Sequence, residues 1–134
     1  MSNPVQDDIL SILAHVVIAD NVVRTEQVDA FIKGAQQLDL HAANGQHKSR
    51  KWLMTWLKSE LPRLKSEAKN HHVHKVWRDH LVRLRELDNK QNILHQMCVI
   101  SNANGRPHTN EQLLVALAAG HWDVRSPAWF DATG

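Results

Sequence analysis

Apolar residues recur at intervals of three and four along most of the chain, and this spacing constrains the fold more than any other feature. The first stripe consists of Val5, Ile9, Ile12, Leu13, Val16 and Val17. Such spacing is typical of an amphipathic helix, and five similar segments follow it. No segment alternates apolar and polar residues as a half-buried strand does. The sequence therefore predicts an all-α fold, a single compact bundle of six to seven helices.

Several residues predict where these helices begin and end. Thr25 is expected to cap the second helix. Pro62 falls inside the third stripe and should end or kink that helix. Thr109 and Gln112 have the spacing of a capping box at the start of the last helix, and Gly120 is expected to stop it. The tail beyond this helix is expected to form a short turn that packs two aromatic side chains on the core.

Length and composition predict one domain, residues 1–134, because 134 residues leave little room for a second core. The single cysteine, Cys98, excludes an internal disulfide framework and is typical of a reducing compartment. The acidic residues Asp7 and Asp8 lie where a signal peptide would be basic. The longest strictly apolar run, residues 113–119, has seven residues, far below the length of about 20 that a membrane span needs. A cytoplasmic protein without a transmembrane segment is the expectation.

The two ends of the chain resemble each other when the sequence is shifted by 84 positions. Ala19 then falls on Ala103, and Thr25 falls on Thr109. Each end reads as an apolar helix, a short polar loop and a second helix, which predicts two pseudo-symmetric helix–loop–helix halves. Two unrelated helical hairpins could produce similar matches, so the repeat is a hypothesis at this point.

The loops themselves carry a family resemblance. The first begins Ala19-Asp20-Asn21 and contains Glu26, and the second begins Ala103-Asn104-Gly105 and contains Glu111. Both resemble the "ADG…E" loops of TerB-like (tellurite resistance) domains. The resemblance implies a helical bundle acting as a non-catalytic binding or scaffold protein in tellurite or chemical-stress response, with protein partners. It also implies a divalent cation of the Ca²⁺ or Mg²⁺ class.

Four residues of these loops make up the candidate cation site: Asp20, Glu26, Asn104 and Glu111. The chain departs from the family pattern at two positions, where Asn21 replaces a glycine and Asn104 replaces an aspartate. Replacing a carboxylate by an amide keeps an oxygen ligand but removes a charge, so weak binding is expected. Helix capping and favourable interaction with the helix dipole are the simpler alternative for these acids.

The middle of the chain carries an excess of positive charge. Residues 48–90 hold twelve Lys or Arg and five acidic residues, a net charge of +7, whereas the remainder carries −5. This asymmetry predicts a surface that docks an acidic protein partner, although long basic side chains also solvate ordinary helix faces. The candidate partner-binding residues are Lys48, Arg50, Lys51, Lys75, Arg78, Arg83 and Arg85.

Other chemistry is less favoured by the sequence. The cluster of His71, His72 and His74 has no nearby carboxylate or cysteine to complete a zinc site, and a solvated polar face explains it more simply. Cys98 lies on an apolar stripe, where a buried and unreactive thiol is expected. No nucleophile elbow or phosphate-binding loop occurs. We therefore expect no enzyme activity, and nucleic acid is not favoured as a partner because the nearby tryptophans lie on apolar stripes. The oligomeric state is left open.

Overall fold

A computed structural model describes residues 4–19, 22–38, 49–69, 73–103, 105 and 107–130. These residues form six α-helices and, within those ranges, no strand, which confirms the all-α prediction. The helices are α1 (Pro4–Ile18), α2 (Thr25–Gln37), α3 (Arg50–Lys69), α4 (Val73–Leu84), α5 (Lys90–Asn102) and α6 (Thr109–Trp122).

The first helix is central to the bundle. It contacts α2, α3, α4 and α5, and every residue from Asp8 to Ala19 is buried. A helix surrounded in this way must be apolar over most of its surface, which its sequence provides. Three polar residues interrupt the apolar surface: Asp8, Ser11 and His15. Their spacing of three and four places them on one face of α1.

The pairing of the remaining helices is only partly symmetric. The 84-residue shift relates the hairpin of α1 and α2 to that of α5 and α6. The second helix contacts α5, whereas α6 contacts α4. The α4 and α6 contact includes a hydrogen bond from Trp122 Nε1 to the Leu81 carbonyl oxygen at 2.8 Å. The middle helices α3 and α4 therefore alter the surroundings of the second half.

Two predicted N-terminal caps shift by one residue. The N-cap of α2 is Arg24, and Thr25 is the first helical residue. The N-cap of α6 is His108 rather than Thr109, so the capping-box partner at the third helical position is Glu111 and not Gln112. The predicted pattern had the right motif but the wrong register, because Glu111 is a stronger acceptor for the cap than the neighbouring amide.

Neither Pro62 nor Gly120 ends the helix that contains it. Helix α3 continues through Pro62, whose side chain is exposed. The missing backbone hydrogen bond therefore lies on the solvent side, where water can bind the carbonyl that loses its donor. Helix α6 likewise continues past Gly120 to Trp122, and it is Asp123 that adopts the left-handed conformation that ends it, with φ 53°.

The tail packs one aromatic side chain rather than two. Phe130 is buried, whereas Trp129 remains 50% exposed and contacts the ring of His95 edge-on. The other buried apolar residues form one hydrophobic core that includes residues of all six helices. Within the described ranges, the helices are too short or too polar for any of them to cross a membrane.

Candidate functional site

The two halves of the repeat meet at a buried polar contact. Gln27 of α2 donates from Nε2 to Oε2 of Glu111 in α6 at 2.9 Å, and both side chains are fully buried. These two residues are 84 positions apart, so they are equivalent under the repeat. The contact supports the repeat hypothesis, because related positions face each other near the centre of a pseudo-symmetric pair.

Glu111 also fixes the start of its own helix. Its Oε1 accepts a hydrogen bond from the backbone N–H of His108 at 3.1 Å. The amide of Gln27 lies 3.4 Å from the Ile100 carbonyl oxygen, so it links α2 to both α5 and α6. Gln27 Oε1 is buried and has no hydrogen-bond partner among the described residues. Gln27, which sequence reasoning missed, could have been found by extending the 84-residue alignment to position 111.

The predicted cation ligands are not gathered by the described part of the chain. Glu111 is fully buried, whereas Glu26 is exposed on α2. Asp20 and Asn104 lie outside the described residues. Across the described ranges, no three His, Cys, Asp or Glu side chains are grouped so that they could hold a metal ion. The described residues therefore do not supply a ligand set for the cation that the family resemblance implies.

A row of lysines runs along one side of α3. It consists of Lys51, Lys58, Lys65 and Lys69. Intervals of seven, seven and four residues keep these side chains within a narrow sector of the helix surface. All four are exposed, and none forms an ion pair with another described residue. We call this set the lysine row; only Lys51 of it was among the residues singled out from the sequence.

The acidic residues of α3 lie on another side of the helix. Arg63 binds both, with Nε 2.7 Å from Glu60 Oε2 and Nη1 3.0 Å from Glu67 Oε1. His15 of α1 approaches Glu67 from the core, with Nε2 3.4 Å from Oε1. The His15 ring lowers the pKa of Glu67 despite the opposing effect of burial. The charges of α3 are thus separated, and no acid in the described part of the chain pairs with the lysine row.

The other predicted partner-binding residues differ in how far they are already engaged. Lys75 and Arg78 of α4 are exposed and have no ion pair within the described ranges. Arg50 binds Asp29 of α2 at 2.8 Å, and this contact lowers the pKa of Asp29. Arg85 lies 3.4 Å from Glu86. Lys48 falls outside the described residues.

Arg83 has a structural role instead. Its Nε lies 3.0 and 2.9 Å from the two carboxylate oxygens of Asp8, and Nη2 lies 2.9 Å from Oδ1. His80 Nδ1 is 2.7 Å from the same Oδ1. Burial alone would raise the pKa of Asp8, but the hydrogen bonds from Arg83 and His80 hold it below its usual value. Asp8 therefore joins α1 to α4 as a carboxylate.

We call the contacts made by the polar face of α1 the ionic seam: Asp8 with His80 and Arg83, Ser11 with Arg63, and His15 with Glu67. His15 is 1% exposed, and its ring lies 5.9 Å from that of His80. This seam was not predicted from the sequence. The available signal was the occurrence of three polar residues at spacings of three and four within an otherwise apolar helix.

A hollow of about 480 Å³ opens beside the first lysine of the row. It is lined by Ser49, Lys51, Trp52, Thr55 and Trp56, and its walls are mostly apolar. Trp52 is 36% exposed, whereas Trp56 is partly buried and stacks on Phe31 of α2. The hollow therefore offers apolar contact next to a positive charge.

The remaining sequence candidates have ordinary surroundings. Cys98 is buried as predicted, and burial raises the pKa of its thiol to about 12, which disfavours the reactive thiolate. His74 is exposed, with its ring 5.0 Å from that of Trp77, while His71 and His72 lie outside the described residues.

Comparison of the chain with protein-family models, with curated proteins and with solved structures found no match.

Proposed function

We propose that this protein is a non-catalytic binding module that docks an acidic segment of a partner protein on its basic α3 and α4 surface. The observation that carries the proposal is the lysine row, which is exposed and has no ion pair among the described residues. Charged side chains arranged in this way favour association with a surface of opposite sign. Lys75 and Arg78 add to the same positive field from α4.

The separation of charge on α3 supports this role. Arg63 is engaged by Glu60 and Glu67, so these acids satisfy one cation rather than neutralising the lysines. A helix that only needed to be soluble would gain from acids placed four residues from its lysines, because such pairs stabilise a helix. The lysine row forgoes that stabilisation, which is what a surface reserved for an anionic partner requires.

Two of the three tryptophans within residues 48–90 favour a protein over a nucleic acid as the partner. Trp77 is 3% exposed, and the ring of Trp56 is stacked on that of Phe31. Stacking on bases needs accessible aromatic faces, so these two residues are not suited to it. The hollow beside Lys51 and Trp52 suits an apolar side chain that precedes or follows the acidic residues of a partner segment.

Binding of a fluorescein-labelled glutamate-rich peptide, followed by fluorescence anisotropy, tests this proposal. The affinity should fall as salt rises from about 50 to about 300 mM, because screening weakens contacts between exposed charges. The triple variant Lys51→Gln/Lys58→Gln/Lys65→Gln should bind at least about tenfold more weakly. The triple variant Lys33→Gln/Lys90→Gln/Arg125→Gln removes the same charge elsewhere and should keep most of the affinity.

Two results would contradict the proposal. Equal losses in both triple variants would show that net charge, and not the lysine row, governs binding. Tighter binding of a single-stranded oligonucleotide of matched charge, with a steep salt dependence, would assign the surface to nucleic acid instead.

The family resemblance supports a second proposal, weak binding of Ca²⁺ or Mg²⁺ at the two loops in a tellurite- or stress-response protein. The favouring observation is that Gln27 and Glu111 bring together the helices that follow these loops. A bound cation should raise the melting temperature of chelator-treated protein. The double variant Asp20→Asn/Glu111→Gln should lose that rise, and an unchanged rise would place any cation elsewhere.

A further inference from the structure

We propose that the contact of Asp8, His80 and Arg83 is an acid-sensitive latch that fastens α4 to α1, and that protonation of His80 releases it. The latch is independent of the docking proposal, since it concerns the stability of α4 rather than the ligand of the lysine row. It is carried by the geometry of the ionic seam.

The hydrogen bonds define which proton His80 holds. A carboxylate only accepts hydrogen bonds, so the 2.7 Å contact with Asp8 Oδ1 requires the proton of the neutral ring to be on Nδ1. Arg83 Nη2 lies 3.0 Å from the same nitrogen and is also a donor. Asp8 binds both Arg83 and His80, and it therefore holds these two donors close together.

A second proton on His80 would enter a poorly hydrated place that already holds the guanidinium of Arg83, whose Nη2 lies 3.0 Å from His80 Nδ1. His80 is 7% exposed. Arg83 flanks it on α4, His15 faces it from α1, and Arg63 lies beyond Glu67 on α3. Asp8 and Glu67 both already bind cationic or imidazole groups, and Asp79 of α4 attracts Arg83. Trp122, which packs against α4 from α6, brings no charge.

The sign of the pH dependence follows from this environment. Burial lowers the pKa of His80 below its usual value, and the hydrogen bond to Asp8 only partly opposes this effect. When α4 separates from α1, the imidazole regains an ordinary pKa of about 6.5 and takes up a proton more readily. The equilibrium constant for separation of α4 from α1 is therefore insensitive to pH above about 6.5. Below that pH it rises by up to about tenfold per pH unit, until the pH reaches the lowered pKa of His80 in the folded protein.

Release of the latch would act on a defined part of the molecule. Trp77 and Leu81 lie on the same helix as His80 and are buried in the core. Their departure would uncover the middle of α1 while leaving the contact of α2 with α5 in place. Acid should therefore loosen residues 73–84 before it loosens residues 25–37.

Hydrogen exchange measured by mass spectrometry at pH 7.0 and pH 5.5 tests the latch. The ratio of protection in α4 to protection in α2 cancels the change in intrinsic exchange rate, because both helices are read from one sample. In the wild-type protein this ratio should fall by about three- to tenfold on acidification. In His80→Asn, whose amide can still donate to Asp8 but does not titrate, the ratio should stay constant.

His74→Asn is the matched control, since it removes an exposed histidine from the same helix, and it should behave as the wild type does. Equal falls in the wild type and His80→Asn, or equal loosening of α2 and α4, would overturn the proposal. If His80→Asn does not fold, exchange of the wild type at intervals from pH 7.5 to 5.0 decides the question. A flat ratio across that range refutes the latch.

Discussion

Among the residues that the structure describes, two buried carboxylates join distant helices, and they are stabilised by different means. Asp8 lies in the ionic seam, where a guanidinium and an imidazole from α4 bind it. Glu111 lies between the halves of the repeat, where it accepts hydrogen bonds from the amide of Gln27 and from the backbone N–H of His108. Asp8 keeps 12% of its side chain exposed, whereas Glu111 is fully enclosed.

This difference shows how burial depth governs the choice of partner. The guanidinium of Arg83 can reach Asp8 and still leave half of its own side chain in water. An arginine is costly to bring into the full interior, because both charges of the pair must then lose their hydration. Amide and backbone donors avoid that cost. The two contacts should therefore respond differently to truncation, to acid and to changes in packing.

The largest expected loss of stability is at Glu111, the fully enclosed carboxylate. Glu111→Ala should destabilise the protein by about 3 kcal/mol, because it removes the helix cap and leaves the buried amide of Gln27 without its acceptor. Glu111→Gln keeps one oxygen for the N–H of His108, and its NH2 group can pair with Gln27 only if the Gln27 amide turns to present Oε1, so a loss of about 1 kcal/mol is expected. Urea denaturation of both variants measures the difference. Equal losses would show that Glu111 acts through its charge rather than through these two bonds.

A smaller effect is expected at Asp8, because Arg83 can return to water when its partner is removed. Asp8→Asn should cost about 1 to 2 kcal/mol at pH 7. The pKa of Asp8 is lowered in the folded protein. Its contribution is therefore complete above the unfolded-state value of about 4 and is lost as the pH falls through the folded-state value.

Denaturation at a series of pH values checks this sign. The gap in unfolding free energy between the wild type and Asp8→Asn should close only at strongly acidic pH. A gap that closes near pH 6 would contradict this assignment, because the loss would then follow a group that titrates well above the range of a carboxyl.

The smallest expected change in stability is at Gly34. It tests how tightly α2 packs on α5, which Gln27 also contacts at Ile100. A Cβ at Gly34 would lie 2.9 Å from Gln96 Oε1 and 3.3 Å from Gln96 Cβ. The required shift would strain the hydrogen bond from Gln96 Nε2 to Gln37 Oε1. Gly34→Ala should therefore lose the gain of about 1 kcal/mol that alanine normally brings to a helix.

Gly120→Ala supplies the comparison, because a Cβ there meets nothing within 4 Å. It should raise the melting temperature relative to Gly34→Ala. If both variants gain stability equally, Gln96 has room to move and the contact of α2 with α5 is looser than the distances indicate.

The sequence predicted the helices because their signal is local. The spacing of apolar residues within α1 and α2 depends only on neighbours a few positions away, and the structure confirms these helices to within a few residues. The N-caps were less predictable. Either His108 or Thr109 could cap α6, and His108 is the N-cap because the side chain of Glu111 reaches its backbone N–H.

The polar contacts inside the bundle were not predicted, because they depend on tertiary packing. Asp8 and His80 are 72 residues apart, and nothing in the spacing around either residue specifies the other. The exposed lysines show the reverse: helical periodicity alone would have placed Lys58 and Lys65 beside Lys51. Total charge alone does not distinguish these two lysines, because it contains no information on angular position.

Gln27 and Glu111 occupy equivalent positions of the repeat and face each other, as equivalent residues do near the axis of a homodimer. In a two-fold symmetric dimer, a residue near the axis faces its own copy, so a glutamate there would confront another glutamate. The two halves of this chain behave as fused subunits in that respect, with a glutamate on one side and its uncharged amide counterpart on the other. Fusion permits this asymmetry, which two identical subunits could not adopt. It also leaves α3 and α4, which have no counterpart in the repeat, free to carry the charge that distinguishes the molecule's surface.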